Sequence, residues 1–197
     1  MSRVVLDMSM SLDGFIAGPD DSPDNGLGDG GERLHAWLSE GRGDDPTSFR
    51  PTDETDAFVV DEMMATGAVI CGKRLGEFVN YWEGDHHNGV PIFVPTHHVP
   101  AQQPPGDVRF VTDGIESCVE QAKAAAGGRD VMLHGAYTAQ ECLRARVLDA
   151  MEIHLIPVLL GRGRPLFDRL GPEHIELELV RQLRSPTALH LRYEVRS

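Results

Sequence analysis

Residues 130–167 read DVMLHGAYTAQECLRARVLDAMEIHLIPVLLGRGRPLF, and their pattern predicts a strand, a tight turn, a helix and a second strand. In order, these elements cover Val131–Leu133, His134–Ala136, Tyr137–Val147 and Met151–Leu160. A small residue in such a turn lets a ligand approach the backbone, and the start of the following helix offers unpaired N–H groups to an anion. The segment therefore predicts a site for a phosphate-bearing ligand.

The same segment resembles part of a known family. MLHGAYTAQECL and LDAMEIHLIPVLLGRGRPLF resemble the C-terminal half of the RibD C-terminal domain family, the dihydrofolate-reductase-like pyrimidine reductases and their stand-alone relatives. Family members usually carry Gly-Gly where this chain has His134-Gly135, so His134 is a departure. The resemblance covers essentially the whole chain. It implies an α/β fold with a mixed, mainly parallel sheet flanked by helices and ending in an antiparallel hairpin, and it implies a homodimer.

Length and composition favour one cytoplasmic domain. The chain has 197 residues, 41% of them hydrophobic, which suffices for one sizeable core, so we expect a single domain over residues 1–197. No apolar run is long enough to cross a membrane, and no signal-peptide core follows the first residues, so we expect a cytoplasmic protein. The net charge of -13 argues against nucleic acid as a partner.

Strands and helices are predicted to alternate along the chain, which favours the α/β class. Strands are predicted at Arg3–Met10, Ala68–Cys71, Val90–Pro95 and Val108–Val111, and a closing hairpin at Ile175–Leu183 and Ala188–Val195. Helices are predicted at Glu32–Glu40, from Thr52 to Gly67 and at Ile115–Ala126. Pro19–Gly31 and Gly41–Pro51 are predicted to be loops that either form a lid over a pocket or are ordinary surface excursions.

The first predicted strand runs into SLDGFIAG, residues 11–18. The local sequence alone predicts a strand that ends in a turn, because Asp-Gly is a turn signal. The same octapeptide is similar to the opening signature of the family, in which this loop lies over the nicotinamide end of the cofactor. The resemblance therefore places Met8, Ile16 and Ala17 beside a nicotinamide ring.

A second cofactor-binding segment is predicted at a later strand end. VICGKRLGEF, residues 69–78, resembles the family's strand followed by Gly-Arg-x-Thr-x-Glu, with Lys73 and Leu75 in place of the usual Arg and Thr. Gly72, Lys73 and Arg74 place a glycine and two cations where a pyrophosphate or a ribose phosphate could bind. Solvated surface cations that cap a strand explain the residues equally well without the resemblance.

The remaining cofactor contacts are predicted after two other strands. In the family, a Thr or Ser followed by Arg or His contacts the adenosine 2′-phosphate, so the resemblance at Thr96-His97 implies NADPH rather than NADH. The turn and helix start after the strand Val131–Leu133 are predicted to anchor phosphate. Those residues are His134, Gly135, Ala136, Tyr137 and Thr138.

Asp56 is the candidate catalytic residue. In dihydrofolate reductases, which the chain resembles, the carboxylate that holds the pterin lies on the helix before this strand, and an ungapped count back from Gly72 reaches Asp56. A carboxylate in an apolar cleft can keep or relay a proton near neutral pH, as reduction of a C=N bond requires. The alternative is a capping or solvated carboxylate near the start of an acidic helix.

No metal site is predicted from the histidine pairs His86-His87 and His97-His98, because neighbours on an extended segment point to opposite sides. A Rossmann dehydrogenase is disfavoured because Gly161-Arg162-Gly163 lacks the third glycine and follows a late strand. The prediction is an NADPH-dependent reductase acting on a planar nitrogen heterocycle, a pterin or a ribosylamino-pyrimidine as in riboflavin biosynthesis. The alternative is a catalytically silent relative that keeps the fold and binds a dinucleotide or another ligand.

Overall fold

A computed structural model describes residues 1–38 and 49–196. Its strands are β1 (Val4–Ser11), β2 (Phe15–Ala17), β3 (Ala68–Cys71), β4 (Ile92–Pro95), β5 (Val108–Val111), β6 (Val131–His134), β7 (Ala150–Ile156), β8 (Arg164–Pro165), β9 (Leu177–Arg184) and β10 (Leu189–Val195). Eight of them form one sheet in the order β5-β4-β3-β6-β1-β7-β10-β9, while β2 and β8 pair with each other. The sheet is parallel from β5 to β7, and β10 runs antiparallel to β7 and β9.

The helices flank this sheet. They are α1 (Glu54–Met64), α2 (Lys73–Phe78), α3 (Ile115–Ala125) and α4 (Ala136–Arg144), with 3-10 helical turns at Gly31–Leu38 and Asn80–Gly84. The α1 helix begins later than predicted because Asp53 is its N-cap and accepts from the N–H of Thr55 at 2.8 Å. Among residues 1–38 and 49–196, no helix is both long and apolar enough to cross a membrane.

The predicted class, a mixed and mainly parallel sheet with a closing hairpin, is confirmed. The predicted strand Met151–Leu160 ends early at Ile156, because the N–H of Val158 turns back to the Ile156 carbonyl at 2.7 Å. The predicted helix Glu32–Glu40 is a 3-10 helix as far as Leu38. Its last two residues, and positions 41–48 of the predicted loop, lie outside the described residues.

Each face of the sheet buries its own apolar core, because side chains alternate along each strand. Val4 and Leu6 of β1 pack on the face shared with α3 and α4, and Val69 and Met132 pack on the face shared with α1. That second face is not wholly apolar. Its central strands also bury six polar side chains, Asp7, Ser9, Ser11, Glu152, His154 and His190.

The turn Asn80–Gly84 is left-handed. Four consecutive non-glycine residues have positive φ angles, namely 46° at Asn80, 49° at Tyr81, 50° at Trp82 and 53° at Glu83. This conformation costs an L-residue roughly 1–2 kcal/mol. The surrounding packing must offset that cost, and the buried Tyr81 ring meets the ring of Phe110 edge-on at 5.6 Å. The turn is therefore a strained segment that the fold holds in place.

Replacing Glu83 by glycine tests this strain. Glycine enters the left-handed region without a Cβ clash, so Glu83→Gly should raise the free energy of unfolding by about 1 kcal/mol, or ~2–4 °C in thermal denaturation. Glu120→Gly is the matched control, since Glu120 is exposed in the right-handed helix α3. There glycine should lower stability by about 1 kcal/mol. Equal losses in both variants would contradict the strain.

Candidate functional site

Four adjacent parallel strands, β4, β3, β6 and β1, end at the same edge of the sheet. Residues that follow these strands line a cavity of about 1400 Å³. Open α/β sheets bind their ligands at this edge. Every residue predicted to contact the cofactor lines the cavity, namely Met8, Ile16, Ala17, Gly72, Lys73, Arg74, Thr96, His97, His134, Gly135, Ala136, Tyr137 and Thr138.

Two neighbouring strand ends bring Gly72 and Gly135 together. Cys71 pairs with His134 in the sheet, and the N–H of Gly72 donates to the His134 carbonyl at 3.4 Å. A Cβ atom on Gly72 would lie 2.7 Å from the hydroxyl oxygen of Thr138, so a larger residue would force Thr138 to move. Gly135 has a φ of 101°, which side chains disfavour, and it precedes α4. Bare backbone therefore lines the cavity at the start of α4.

Arg74 and Arg164 line the cavity and share one carboxylate, Asp21. Arg164 donates to Asp21 at 2.7 and 2.9 Å, and Nε of Arg74 donates to it at 3.3 Å. Burial raises the pKa of Asp21, but the hydrogen bonds from Arg164 and Arg74 outweigh burial and leave that pKa below its usual range. The predicted phosphate anchor Arg74 is thus already paired, and the three groups together carry one positive charge.

Thr96 and His97 follow β4 at the same edge. The Thr96 hydroxyl donates to the carbonyl of His98 at 3.0 Å, so it already has a local partner. The His97 side chain is exposed at the cavity. His98 is exposed as well, but it is not among the described residues that line the cavity.

Imidazole and indole rings form one wall of the cavity. The rings of His86 and His134 stack with centroids 5.2 Å apart and an angle of 29° between their planes. Trp82 meets His86 edge-on at 4.5 Å. The left-handed turn supplies Trp82, and the end of β6 supplies His134. Two separate segments of the chain therefore contribute to the same wall.

Hydrogen bonds determine which nitrogen of each ring carries the proton. Nδ1 of His134 lies 2.8 Å from the carbonyl oxygen of Asp7, so Nδ1 donates and Nε2 keeps a lone pair. The Thr66 hydroxyl donates to the Met63 carbonyl at 2.9 Å, so Nε2 of His87 donates to Thr66, whose hydroxyl and carbonyl oxygens lie 3.1 and 3.3 Å away. In the neutral ring, Nδ1 of His87 then accepts from Nδ1 of His86 at 2.8 Å, and Nε2 of His86 also keeps a lone pair. The wall therefore carries two acceptor nitrogens.

The expectation that His86 and His87 point to opposite sides is wrong. They lie in a turn rather than in an extended segment, and their Nδ1 atoms are 2.8 Å apart. Within the part of the chain that the structure describes, no three His, Cys, Asp or Glu side chains are arranged to hold a metal ion. Burial, with a smaller effect of His134, lowers the pKa of His86 to about 2, and burial also lowers the pKa of His134. Both rings are therefore neutral at pH 7.

Asp56, the predicted catalytic residue, is buried but does not line the cavity. Its Oδ1 atom lies 2.8 Å from Nε2 of His190. Nδ1 of His190 lies 2.8 Å from Nδ1 of His154, and Nε2 of His154 lies 3.2 Å from Oδ1 of Asp7. We call these four residues the histidine chain. Asp7 lines the cavity, so the chain connects Asp56 to it.

Sequence reasoning missed Asp7, His154 and His190. A signal was available, because each is a charged or imidazole residue inside an otherwise mainly apolar strand. Such a residue in a central strand must find a buried partner. Neighbouring strands place His190 opposite His154, and His154 opposite Ser9. Strand order, which the sequence does not give, was needed to see that the three side chains meet.

A mainly parallel sheet that ends in an antiparallel hairpin, with a cavity over the strand ends, defines a dihydrofolate-reductase-like α/β protein. The sequence places the chain within that class. It belongs to the RibD C-terminal domain family, whose profile matches residues 2–191. It is also 26% identical over 196 residues to YwjB of Bacillus subtilis (strain 168), itself uncharacterized, a match covering 95% of this chain and 96% of YwjB.

Solved structures confirm the predicted dihydrofolate-reductase-like fold. A protein described as a riboflavin biosynthesis protein from Shewanella sp. PV-4 superimposes with a TM-score of 0.73 at 20% identity, over 99% of both chains. Dihydrofolate reductase from Enterococcus faecalis, solved with NADP(H), gives 0.60 at 12% identity over 99% of this chain and 97% of that one. The Thermotoga maritima deaminase and 5-amino-6-(5-phosphoribosylamino)uracil reductase gives 0.61 at 15% identity, over 98% of this chain and 56% of that one.

Acid should destabilise the protein partly through His86. Its pKa is about 2 in the folded protein against an ordinary value of 6.5, so below pH 6.5 the unfolded chain binds the extra proton first. The contribution of His86 is complete above pH 6.5 and is lost as the pH falls, by at most about 1.4 kcal/mol per pH unit.

Urea unfolding at a series of pH values measures this loss. We expect His86→Gln to flatten the decline in the free energy of unfolding below pH 6.5, whatever its stability at pH 7. His174→Gln, at an exposed site, should keep the wild-type slope. Identical slopes for His86→Gln and the wild type would contradict the lowered pKa.

Proposed function

We propose that this protein is an NADPH-dependent reductase that acts on a planar nitrogen heterocycle of the pterin or ribosylamino-pyrimidine type. The observation that carries the proposal is the convergence of five separate chain segments on one cavity. The family resemblance assigns each of those segments to a part of the same dinucleotide. Two relatives of the same fold support it by name, the Enterococcus faecalis dihydrofolate reductase and the Thermotoga maritima uracil reductase.

The phosphate end of the cofactor fits the glycine pair and the neighbouring cations. The closeness of Gly72 to Thr138 leaves room for backbone but not for a side chain. Lys73 lies beside this gap, and its only described ion pair is an exposed one with Glu77 at 3.6 Å, which water can replace. The paired arginines add one net positive charge. We propose that these groups hold the pyrophosphate and that the exposed His97 contacts the 2′-phosphate.

The other end of the cavity suits a planar substrate. Met8, Ile16 and Ala17 offer apolar contacts to a nicotinamide ring, and that ring supplies the hydride when the cofactor is bound. The wall of His86, His134 and Trp82 offers π-faces and acceptor nitrogens, which together suit a flat heterocycle with N–H groups. The protein's own contribution is to orient this heterocycle and to exclude water from it.

A catalytically silent relative remains the second candidate. Two observations favour it: His134 replaces the family glycine, and Arg74 is already paired with Asp21. A titration with NADPH distinguishes the two, because Trp82 lines the cavity and its fluorescence reports binding. The reductase should bind NADPH and consume it with at least one pterin or aminopyrimidine. Binding without consumption across both compound classes would favour the silent relative.

His97 offers a specific test of cofactor choice. If it contacts the 2′-phosphate, His97→Ala should weaken NADPH binding by about three- to tenfold and leave NADH binding unchanged, because NADH lacks that phosphate. His98→Ala is the matched control, since His98 is exposed next to the cavity without lining it. Fluorescence titrations with both nucleotides give the ratio of the NADPH and NADH dissociation constants for each variant. A parallel loss of affinity for NADH would contradict the contact.

We also propose a homodimer, for which the edge strand β9 supplies the supporting observation. Leu177, Leu179 and Val180 are 43%, 48% and 46% exposed. Successive residues point to opposite faces, so neither face of the Leu177–Val180 part of this strand is covered in the monomer. A long edge strand with exposed apolar side chains can pair with a strand of another chain, because its outer backbone groups are unpaired. A second copy of this chain would cover it.

Leu179→Lys tests that interface. A buried lysine at the dimer contact should dissociate the dimer, which sedimentation velocity detects as a halved mass. Val99→Lys is the control, since Val99 is 51% exposed in the loop after β4, toward the opposite edge of the sheet from β9. It should leave the mass unchanged. A monomeric wild type, or a dimer that persists in Leu179→Lys, would refute the use of β9.

A further inference from the structure

We propose that Asp7 is the carboxylate that binds a ring N–H of the substrate, and that His154, His190 and Asp56 are positioning residues that hold it in place. The inference rests on the proposed function, because it assigns the substrate contact of the same cavity. It is carried by the hydrogen bonds of the histidine chain and by the second carboxylate oxygen of Asp7. It also gives Asp56 a different role from direct contact with the substrate.

The three hydrogen bonds of the histidine chain require three hydrogens, one more than two neutral imidazole rings carry. Its three contacts are Asp7 to His154 at 3.2 Å, His154 to His190 at 2.8 Å and His190 to Asp56 at 2.8 Å. The middle contact joins two Nδ1 atoms, and neither two lone pairs nor two N–H groups can face each other at that distance. Three contacts therefore need three hydrogens. Two neutral imidazoles carry only two, and the proposal places the third on the ring pair between the two carboxylates rather than on a carboxyl oxygen of Asp56.

Because these side chains are buried, the charge state of each one depends on its neighbours in the chain. The side chains of His154, His190 and Asp56 are at most 2% exposed, and Trp37 covers both rings at 4.4 and 4.9 Å. Burial and the charge of His154 lower the pKa of His190, and the opposing effects of Asp56 and Asp7 do not fully offset them. Burial raises the pKa of Asp7, but the neighbouring His154 outweighs it and leaves that pKa below its usual range. The shared ring charge thus needs both carboxylates, and it keeps Asp7 ionised.

The second oxygen of Asp7 is available to a ligand. Oδ1 bonds to His154, whereas Oδ2 has no hydrogen-bond partner among residues 1–38 and 49–196. Oδ2 is not fully enclosed, since the side chain of Asp7 is 12% exposed. Asp7 lines both this cavity and a smaller one beside Glu62 and Glu152, and the proposal places Oδ2 in the larger cavity. An ionised oxygen with free lone pairs accepts N–H donors strongly. Nε2 of His134 and Nε2 of His86 are further acceptors, so the complementary substrate edge carries N–H groups.

This contact suits reduction of a protonated C=N bond. The substrate takes its proton from water, and Asp7 stabilises the resulting C=N–H cation by a charge-assisted hydrogen bond. A bound nicotinamide would supply the hydride for the new C–H bond and would itself be oxidised by two electrons. The π electrons of C=N would become the nitrogen lone pair, and the product would leave as a neutral amine.

Several other charged or titratable groups lie around the histidine chain, and the substitutions below do not change them. Glu152 on β7 lies 3.2 Å from Arg181 on β9 and 3.6 Å from Arg192 on β10, and burial outweighs these arginines and raises its pKa. The remaining titratable neighbours are His35 on the first 3-10 helix, Glu62 on α1, His134 on β6 and His86 beside it. All of them stay unchanged in the variants below, so differences between variants report the chain itself.

Binding of 2,4-diaminopyrimidine tests the Asp7 contact without NADPH or turnover. This probe carries amino N–H groups and a ring nitrogen that protonates, whereas 2,4-dimethoxypyrimidine has the same ring without any N–H. We expect Asp7→Asn to weaken diaminopyrimidine binding by about ten- to a hundredfold and to leave the dimethoxy compound unaffected. Unchanged diaminopyrimidine binding, or equal losses for both probes, would overturn the assignment.

The pH profile of diaminopyrimidine binding tests the positioning role of Asp56. Without its charge the rings give up the shared proton and Asp7 loses its charged neighbour, so in Asp56→Asn the acid limb of the profile should move to higher pH. Asp61→Asn, exposed on the same helix, should keep the wild-type profile. If Asp56→Asn binds the probe more weakly at every pH and the acid limb does not shift, Asp56 has a purely structural role. That result would overturn its assignment as a positioning residue.

A measurement on the wild type covers the case in which Asp56→Asn does not fold. Imidazole ¹⁵N spectra should show three N–H hydrogens shared by His154 and His190, and only two would overturn the chain. The inference and the proposed function fail separately. If NADPH does not bind but Asp7→Asn abolishes probe binding, the reductase assignment falls and the Asp7 contact stands. If NADPH is consumed but Asp7→Asn leaves probe binding unchanged, only the inference about Asp7 fails.

Discussion

The cavity depends on the parallel arrangement of β4, β3, β6 and β1, because their carboxyl ends then lie side by side at one edge of the sheet. The chain leaves the sheet at this edge after each of these four strands, and each exit leaves backbone groups and short side chains facing the same space. The approach of Gly72 to the Thr138 hydroxyl illustrates the result, since one Cβ atom would fill the gap. The cavity is therefore a consequence of strand order, and the residues that line it come from distant parts of the sequence.

One face of the sheet carries an energetic cost that the apolar core alone would not require. Burying Asp7, His154, His190 and Asp56 is unfavourable unless every hydrogen bond is made and the charges balance. The extra proton completes the three hydrogen bonds that join these four side chains and offsets one of the two carboxylate charges, so a net negative charge remains buried as a cost. The left-handed turn at Trp82 is a second unfavourable feature. Both lie against the cavity, which is where strained and buried polar groups concentrate when they serve a ligand.

Local sequence patterns predict much of the fold but little of the chemistry at its centre. The strands Ala68–Cys71 and Val108–Val111 have their predicted bounds, because short apolar runs between turn residues carry that information locally. The contacts of His154 depend instead on which strands are neighbours, and a sequence does not specify this. The prediction for His86 and His87 is wrong because their backbone turns where an extended segment is assumed. Asp56 is a candidate from the sequence, but its partner His190 is 134 residues away, so no local pattern links the two.

A crystal structure with NADPH is the most direct test of the central claim, that the strand ends together form a dinucleotide cradle. We predict the pyrophosphate beside Gly72 and Gly135, and the nicotinamide ring beside Met8 with one face open toward Asp7 and His134. A nucleotide bound elsewhere, or bound with its nicotinamide outside this cavity, would contradict that claim.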